Sequence, residues 1–284
     1  MSGAFDCRLV VTDLDGTLLD EDTYDVSPAR PALDALRVHR IALVLCSSKT
    51  RAEMESLAGD LDLETPLIVE NGGALVIPAG DLAALPPGAH RDGDRMVVPL
   101  GCPRHELLAA LPNVAGSAGV AVRPLAAMSA DELTALTGLS PEAAAQAQRR
   151  EWDEPFVIET EADPGTDARL EAAARRHGMR VTRGGRFHHL TGSTDKGEAV
   201  RALLRLLPLD PHGRTVGLGD AANDLPMLQA VDRPIVMPRR GGRIDATLAA
   251  ALPGAERARA AGPGGWAAAV LDVLAGECLP RVGA

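Results

Sequence analysis

Two carboxylates two residues apart stand where an apolar run gives way to glycine: Leu9-Val10-Val11-Thr12 leads into Asp13-Leu14-Asp15-Gly16-Thr17. At the end of a strand both side chains reach one cleft, an arrangement that suits a carboxylate nucleophile with an acid beside it. Much further along, Val216-Gly217-Leu218-Gly219 ends in Asp220-Ala221-Ala222-Asn223-Asp224, a second apolar strand followed by a second pair of carboxylates. Together they suit phosphoryl transfer. A phosphate monoester dianion repels an anionic nucleophile, so attack by Asp13 requires a divalent cation. Mg²⁺ fits best, because it takes a few oxygen ligands and leaves room for water and phosphate. Asp13, the backbone carbonyl of Asp15 and Asp220 are the expected ligands, with Asp224 beside them as ligand, helix cap or both. Attack would leave an aspartyl phosphate. Asp15, its side chain off the metal, would protonate the departing alkoxide and later activate water.

Ser47 and Lys196 complete the expected phosphate cradle, since a hydroxyl and an ammonium can bind the equatorial oxygens whose charge grows in transfer. Of the 29 basic residues only Lys49 and Lys196 are lysine; the arginine elsewhere reads as genome composition. A lysine at a helix start meets the positive end of the helix dipole, a mismatch that a bound anion resolves. Taken singly, each residue has a plainer reading: Ser47 as a turn residue, Lys196 as a solvated lysine, Asp220 and Asp224 as helix N-caps.

The elements that must position these residues alternate apolar strands with amphipathic helices, the pattern of a parallel, doubly wound α/β sheet. Strands are expected at 9–12, 41–46 and 66–69, a helix opening at Ser27-Pro28, and another behind the capping box Thr50-x-x-Glu53. Asp13, Ser47, Glu70 and Asp220 all fall at carboxyl ends of strands, where such sheets bind ligands. Between about Pro86 and Leu190 the texture changes. Residues 86–94 read as a linker, followed by a strand at 96–100, helices capped at Pro103, Ser129 and Ser140, and strands at 156–160 and about 179–190. The expected organisation is a core over 1–85 and 191–284 with an α+β domain inserted at 86–190. After it come a helix 196–207, a strand 215–218, a helix 224–231, a strand 234–237 and a helix 265–275, with 238–264 irregular.

The net charge of −10 excludes nucleic acid or an anionic membrane as the main partner. Cys7, Cys46, Cys102 and Cys278 form no CxxC pair and read as reduced thiols. No apolar run approaches the length of a membrane span and no signal peptide is evident, so a cytoplasmic protein, monomer or homodimer, is expected.

The segments DLDGT at 13–17, Ser47, Asp195-Lys196-Gly197 and GDAAND at 219–224 resemble, in order and spacing, the four motifs of the haloacid dehalogenase superfamily of phosphatases. The insertion resembles the C2-type cap of its Cof-like sugar phosphatases. Ser47-Ser48-Lys49-Thr50-Arg51-x-Glu53, Glu70-Asn71-Gly72-Gly73, Arg150 to Phe156 and Gly184-Gly185-Arg186-Phe187 are similar to the marks of the mannosyl-3-phosphoglycerate phosphatase branch. The resemblance implies Mg²⁺-dependent hydrolysis of a small phosphorylated sugar–glycerate, releasing mannosylglycerate, a compatible solute. Such a substrate calls for a cation fork and groups for hydroxyls. Arg150, Arg183 and Arg186 are candidates for its carboxylate, and Asp153, Glu154 and His188 for the sugar. Glu70, Asn71 and Asn223 line the crevice, and Gly72 and Gly73 allow close backbone approach. Trp152, Phe156 and Phe187 flank these residues as sugar platform or cap core. His188-His189 has no spaced partner histidine, which argues against zinc, and places one ring on each face of a strand. Three alternatives stand: a phosphatase of glucosyl-3-phosphoglycerate or another sugar phosphate, a phosphomutase on the same core, and a metabolite-binding module on a retired phosphatase.

Overall fold

A computed structural model describes residues 7–81, 86–161, 163–184, 187–207 and 214–283. In chain order its elements are β1 (Cys7–Thr12), α1 (Arg30–Val38), β2 (Ala42–Cys46), α2 (Arg51–Asp60), β3 (Leu67–Val69), β4 (Ala74–Pro78), β5 (His90–Asp92), β6 (Arg95–Pro99), α3 (Arg104–Ala118), β7 (Val122–Pro124), α4 (Ala130–Thr137) and α5 (Pro141–Ala147). There follow β8 (Asp153–Ile158), α6 (Thr166–Arg175), β9 (Arg180–Gly184), β10 (Phe187–Thr191), α7 (Lys196–Leu206), β11 (Arg214–Gly219), α8 (Leu225–Leu228), β12 (Arg233–Val236), α9 (Ala246–Ala251), β13 (Glu256–Arg257) and α10 (Gly262–Leu274).

Nine strands form one sheet in the order β13-β12-β11-β1-β2-β3-β4-β6-β5. From β13 to β3 neighbouring strands run parallel; β3 to β4, β4 to β6 and β6 to β5 are antiparallel. The parallel strands read as unbroken apolar runs because both faces are covered. On β1, Val10 packs with α1, α2 and α10 on one face, while Leu9 and Val11 pack with α7, α8 and α9 on the other. β1 lies inside the parallel part, flanked by β2 and β11, where the strand order reverses. A doubly wound sheet opens its crevice at that point. The indole Nε1 of Trp266 on α10 donates to Thr12 Oγ1 at 2.9 Å, and that hydroxyl donates to the carbonyl of Asp13 at 2.7 Å, pinning the backbone under the first carboxylate.

The second sheet, β7-β8-β10-β9, is antiparallel. Helices α3 and α6 cover one of its faces around Phe156, and α4 and α5 form a small satellite core against which Phe187 packs. The capping boxes expected at Thr50 and Ser129 form with both reciprocal hydrogen bonds.

Three expectations need correction. Residues 86–94 are not all linker: His90–Asp92 pairs with Arg95–Pro99 at the edge of the large sheet, so the chain leaves that sheet after Pro99 rather than at 86. All three β5 residues are exposed, which erased the apolar signal of a strand. The stretch 179–190 is two strands, β9 and β10, not one. The segment 238–264, expected to be irregular, contains α9 and β13, with Asp245 accepting the amides of Thr247 and Leu248 as the N-cap of α9.

Candidate active site

Asp13 follows β1 at the carboxyl edge of the sheet, its amide donating to Leu218 O on β11 at 2.9 Å. Its Oδ1 accepts a hydrogen bond from Lys196 Nζ at 2.7 Å, and the same ammonium donates to Asp224 Oδ1 at 2.6 Å. Lys196 is 1% exposed and Asp224 fully buried. The lysine reaches this point from the first residue of α7, whose N-cap Asp195 accepts the amide of Glu198. Asp224 Oδ2 accepts the backbone N–H groups of Asp220 and Ala221, which locks the turn after β11.

Carboxylate oxygens of Asp13, Asp220 and Asp224 lie within 4.8 Å of one another. Burial, then the charge of Asp224, pushes the Asp13 carboxyl well above the usual range, against the pull of Lys196. Burial and Asp224 likewise raise Asp220 to about 6. Burial disfavours the Lys196 ammonium, but Asp13 and Asp224 outweigh it and raise that pKa well above the ordinary value. Three buried carboxylates around one ammonium leave an excess of negative charge, and their donor set is entirely oxygen. The cluster therefore fits a hard divalent cation, whose field would return the carboxyls to their ionised form. Asp224 has both oxygens engaged, leaving Asp13 and Asp220 as the freer ligands. The Asp15 carboxylate stands outside the cluster, paired with Lys49 Nζ at 2.9 Å. Gly16, with φ of +76°, turns the chain so closely past Asp220 that a Cβ there would sit 3.4 Å from its Oδ2.

Ser47 directly follows β2 and is 1% exposed. Its amide donates to Ile68 O, its carbonyl accepts the amide of Asn71, and its Oγ accepts the amide of Lys49. The hydroxyl proton remains available to an anion. Glu70, Asn71 and Gly72 all adopt positive φ, at 49°, 58° and 95°. Gly72 is where the loop meets α7: a Cβ would lie 2.4 Å from Asp195 O. Its role is thus to pack against the backbone that carries Lys196. Glu70 faces the other way, accepting the amides of Glu151 and Trp152 at 2.9–3.1 Å. Burial raises its carboxyl to about 7, with Arg150 opposing and Asp153 assisting. Glu70 ties the core loop to the cap and has no oxygen facing open solvent.

A cleft of about 420 Å³ opens between core and cap, bordered by Ser48, Asn71, Asn223 and Arg239 from the core and Thr182, Arg183 and His189 from the cap. Asn223 Nδ2 donates to Asn71 Oδ1 at 3.3 Å. Several expected cap contacts lie elsewhere. In the cap sheet Glu154 pairs with Leu190 and Phe156 with His188, so all four share the face covered by α3 and α6. There Glu154 binds Arg104 Nε at 2.5 Å and the amide of Ala126, while His188 Nε2 contacts Asp167 and its ring stacks on Phe156. Glu154 and His188 are therefore turned from the cleft, because a shift of one residue on a strand changes face. Arg183 is different: it lies 3.6 Å from Asp167 yet also borders the cleft, so it stays a candidate for the carboxylate. Arg150 is buried, donating from Nη1 to Ser48 O at 3.0 Å and Asp153 Oδ2 at 2.8 Å, a tether rather than an open fork. Trp152 packs in the core and Phe156 in the cap. Arg186 lies outside the described residues.

Residues the sequence reading did not assign are Lys49, Arg239 and His189. Lys49, besides holding Asp15, sits 4.7 Å above the Tyr24 ring; its survival in an arginine-rich chain was the signal. Arg239 contacts Asp220 at 3.2 Å and Asp245 at 3.4 Å from a segment expected to be unstructured. His189 differs from His188 only in strand phase.

Comparison with known proteins agrees with this geometry. The family model described as haloacid dehalogenase-like hydrolase matches residues 10–82 and 175–244, the stretches that carry Asp13, Ser47, Lys196 and Asp220. The chain is 36% identical over 268 residues to a glucosyl-3-phosphoglycerate/mannosyl-3-phosphoglycerate phosphatase of Methanococcoides burtonii, covering 94% of this chain and 97% of that one. It is 34% identical over 270 residues to the protein of the same name from Persephonella marina, with the same coverage. The fold resembles a haloacid dehalogenase-like hydrolase structure from Bacteroides thetaiotaomicron, with a TM-score of 0.64 at 19% identity over 94% of this chain and 99% of that chain. With motifs, fold and relatives in agreement, the chain belongs to the haloacid dehalogenase-like hydrolases.

Proposed function

We propose that this chain is a cytoplasmic, Mg²⁺-dependent phosphatase that hydrolyses glucosyl-3-phosphoglycerate and mannosyl-3-phosphoglycerate through an aspartyl phosphate on Asp13. The single observation that carries the chemistry is the Lys196 ammonium held between Asp13 and Asp224 at the crevice of a doubly wound sheet. The substrate reading rests on relatives at 34–36% identity whose names include both glycosides. On this reading residues 7–99 and 192–283 form the catalytic body, and 100–191 form the lid.

Lys196 occupies Asp13 Oδ1, so Asp13 Oδ2 is the attacking atom. It forms a bond to phosphorus as the ester P–O bond breaks, and the departing oxygen takes a proton from Asp15, which enters this step in its acid form, released from the resting ion pair with Lys49. Asp15 then takes a proton from water, which attacks the same phosphorus and frees Asp13 and inorganic phosphate. Lys49 holds Asp15 at the cleft and off the acidic cluster. Ser47 Oγ–H and Lys196 Nζ bind phosphoryl oxygens whose charge grows during transfer, the main catalytic term in this chemistry. A bound Mg²⁺, held by Asp13, Asp220 and the Asp15 carbonyl, would neutralise the phosphoryl oxygens and let two anions meet. The four cysteines are free thiols, in keeping with a reducing compartment.

Phosphate release should be measured with and without Mg²⁺ on both glycosylated phosphoglycerates, 3-phosphoglycerate and hexose phosphates, for wild type and Asp13→Asn. A preference of roughly 100-fold for the glycosylated substrates, lost without Mg²⁺ and in the variant, is the expected outcome. Wild-type turnover by Asp13→Asn would remove Asp13 as nucleophile. Equal slow hydrolysis of every ester would remove the substrate reading.

A further inference from the structure

The steps at phosphorus use core residues only and leave unassigned the imidazole that faces them from the cap. His189 lies on β10, opposite Pro155 of β8 and Thr182 of β9, so it stands on the face of the cap sheet away from α3 and α6, with Thr182 and Asp153. Its Nδ1 is 2.7 Å from Asp153 Oδ2, the same oxygen that accepts Arg150 Nη1 at 2.8 Å. A carboxylate oxygen shared with a guanidinium can only accept, which places a proton on Nδ1, so that in the neutral ring Nε2 carries the lone pair. Asp153 is fully buried and Arg150 is itself anchored on Ser48 O, beside Ser47. The ring is therefore fixed through two buried partners to the loop that cradles the phosphate. Among the described residues Nε2 makes no hydrogen bond, and the residue borders the 420 Å³ cleft with Asn71 and Asn223.

We propose that His189 is a substrate-binding residue, its Nε2 accepting a hydrogen bond from a hydroxyl of the group esterified to the phosphate. This deepens the phosphatase reading above and rests on it. A ring whose donor is spent on Asp153 offers the cleft an acceptor, which matches a hydroxyl and not a carboxylate. Thr182, Asn71 and Asn223, on the same walls, also suit hydroxyls. A carboxylate on the substrate would turn instead to the guanidinium of Arg239. Fixing the ring in advance keeps the entropy cost of binding low. His188 has no such part, since Asp167 and Phe156 occupy its ring.

The test compares full-length wild type with His189→Phe and His189→Gln in Mg²⁺, after a thermal melt of each. For His189→Phe, kcat/KM for the glycosylated phosphoglycerates should fall about 10- to 100-fold. Values for p-nitrophenyl phosphate, which carries no hydroxyl on its leaving group, should stay within about twofold. His189→Gln, which restores an acceptor, should recover part of the loss. Equal losses on both substrates would assign His189 to holding the cap, and no loss on either would remove it from the cleft; each overturns the proposal. Should His189→Phe melt at ambient temperature, the substrate ratio in His189→Gln decides alone. Should wild type ignore the glycosylated phosphoglycerates, the substrate reading falls by itself. The same ratio, taken with the hydroxyl-bearing phosphomonoester it hydrolyses best, still judges His189.

Discussion

Lys196 is one buried side chain on which both stability and reactivity are expected to rest. Its ammonium neutralises two carboxylates that have little access to water, and removing one partner of a buried ionic cluster leaves the others unpaired. Lys196→Met keeps the volume of the side chain and discards the charge. It should cost about 3 kcal/mol of stability in thermal or urea unfolding without metal, and should lower turnover at least ~10³-fold. Unchanged melting would mean that Asp13 and Asp224 neutralise themselves by taking up protons. Asp13, Ser47, Lys196 and Asp220 were legible in the sequence because strand–glycine–carboxylate punctuation marks a crevice whatever the rest of the fold. The cap residues were not, because period-2 alternation gives two faces and no sign of which one is wet. His188 was chosen where His189 faces the cleft, and Asp153 and Glu154 were chosen together although they lie on opposite faces.

Between elements, the close approach of the Glu70–Gly72 turn to the start of α7 fixes where Lys196 begins. Gly72→Ala would combine a left-handed backbone with a Cβ 2.4 Å from the Asp195 carbonyl, so loop or helix must move. A loss of about 2–4 kcal/mol and a fall in kcat through a displaced ammonium are expected, read by unfolding and steady-state kinetics on the same preparation. Gly59, exposed near the end of α2 with open space at its Cβ, is the control. Gly59→Ala should stabilise by about 0.4–1 kcal/mol and leave kinetics untouched. The helices were largely legible, because Thr50, Ser129 and Ser140 announce their caps. The edge strand β5 was not, since His90, Arg91 and Asp92 give a charged, solvent-facing edge of the kind that discourages pairing with other chains. Such composition is indistinguishable from a linker until its partner β6 is seen.

Across the whole molecule, core and cap meet through a titratable joint. Glu70 belongs to a core loop, yet its carboxylate accepts the amides of Glu151 and Trp152 where the chain enters β8. The composition-level reading, an acidic chain with a substrate-sized crevice, says nothing of such a joint; it arises only when segments 81 residues apart fold together. Burial raises the Glu70 carboxyl from 4.5 to about 7. A carboxyl whose folded pKa is raised contributes stability below its unfolded value and loses it as pH climbs through the folded one. In metal-free protein the Glu70 contribution should therefore be present below about pH 4.5 and be lost progressively up to about pH 7, a swing of about 1–3 kcal/mol. Other groups titrate over the same range, so the informative quantity is the difference in unfolding free energy between wild type and Glu70→Gln as a function of pH. That difference should move against wild type as pH rises from 5 to 8, in steps of about 1 kcal/mol per unit at most. A difference that stays flat would mean that the joint holds an ionised carboxylate at every pH and that its two amide donors outweigh its burial.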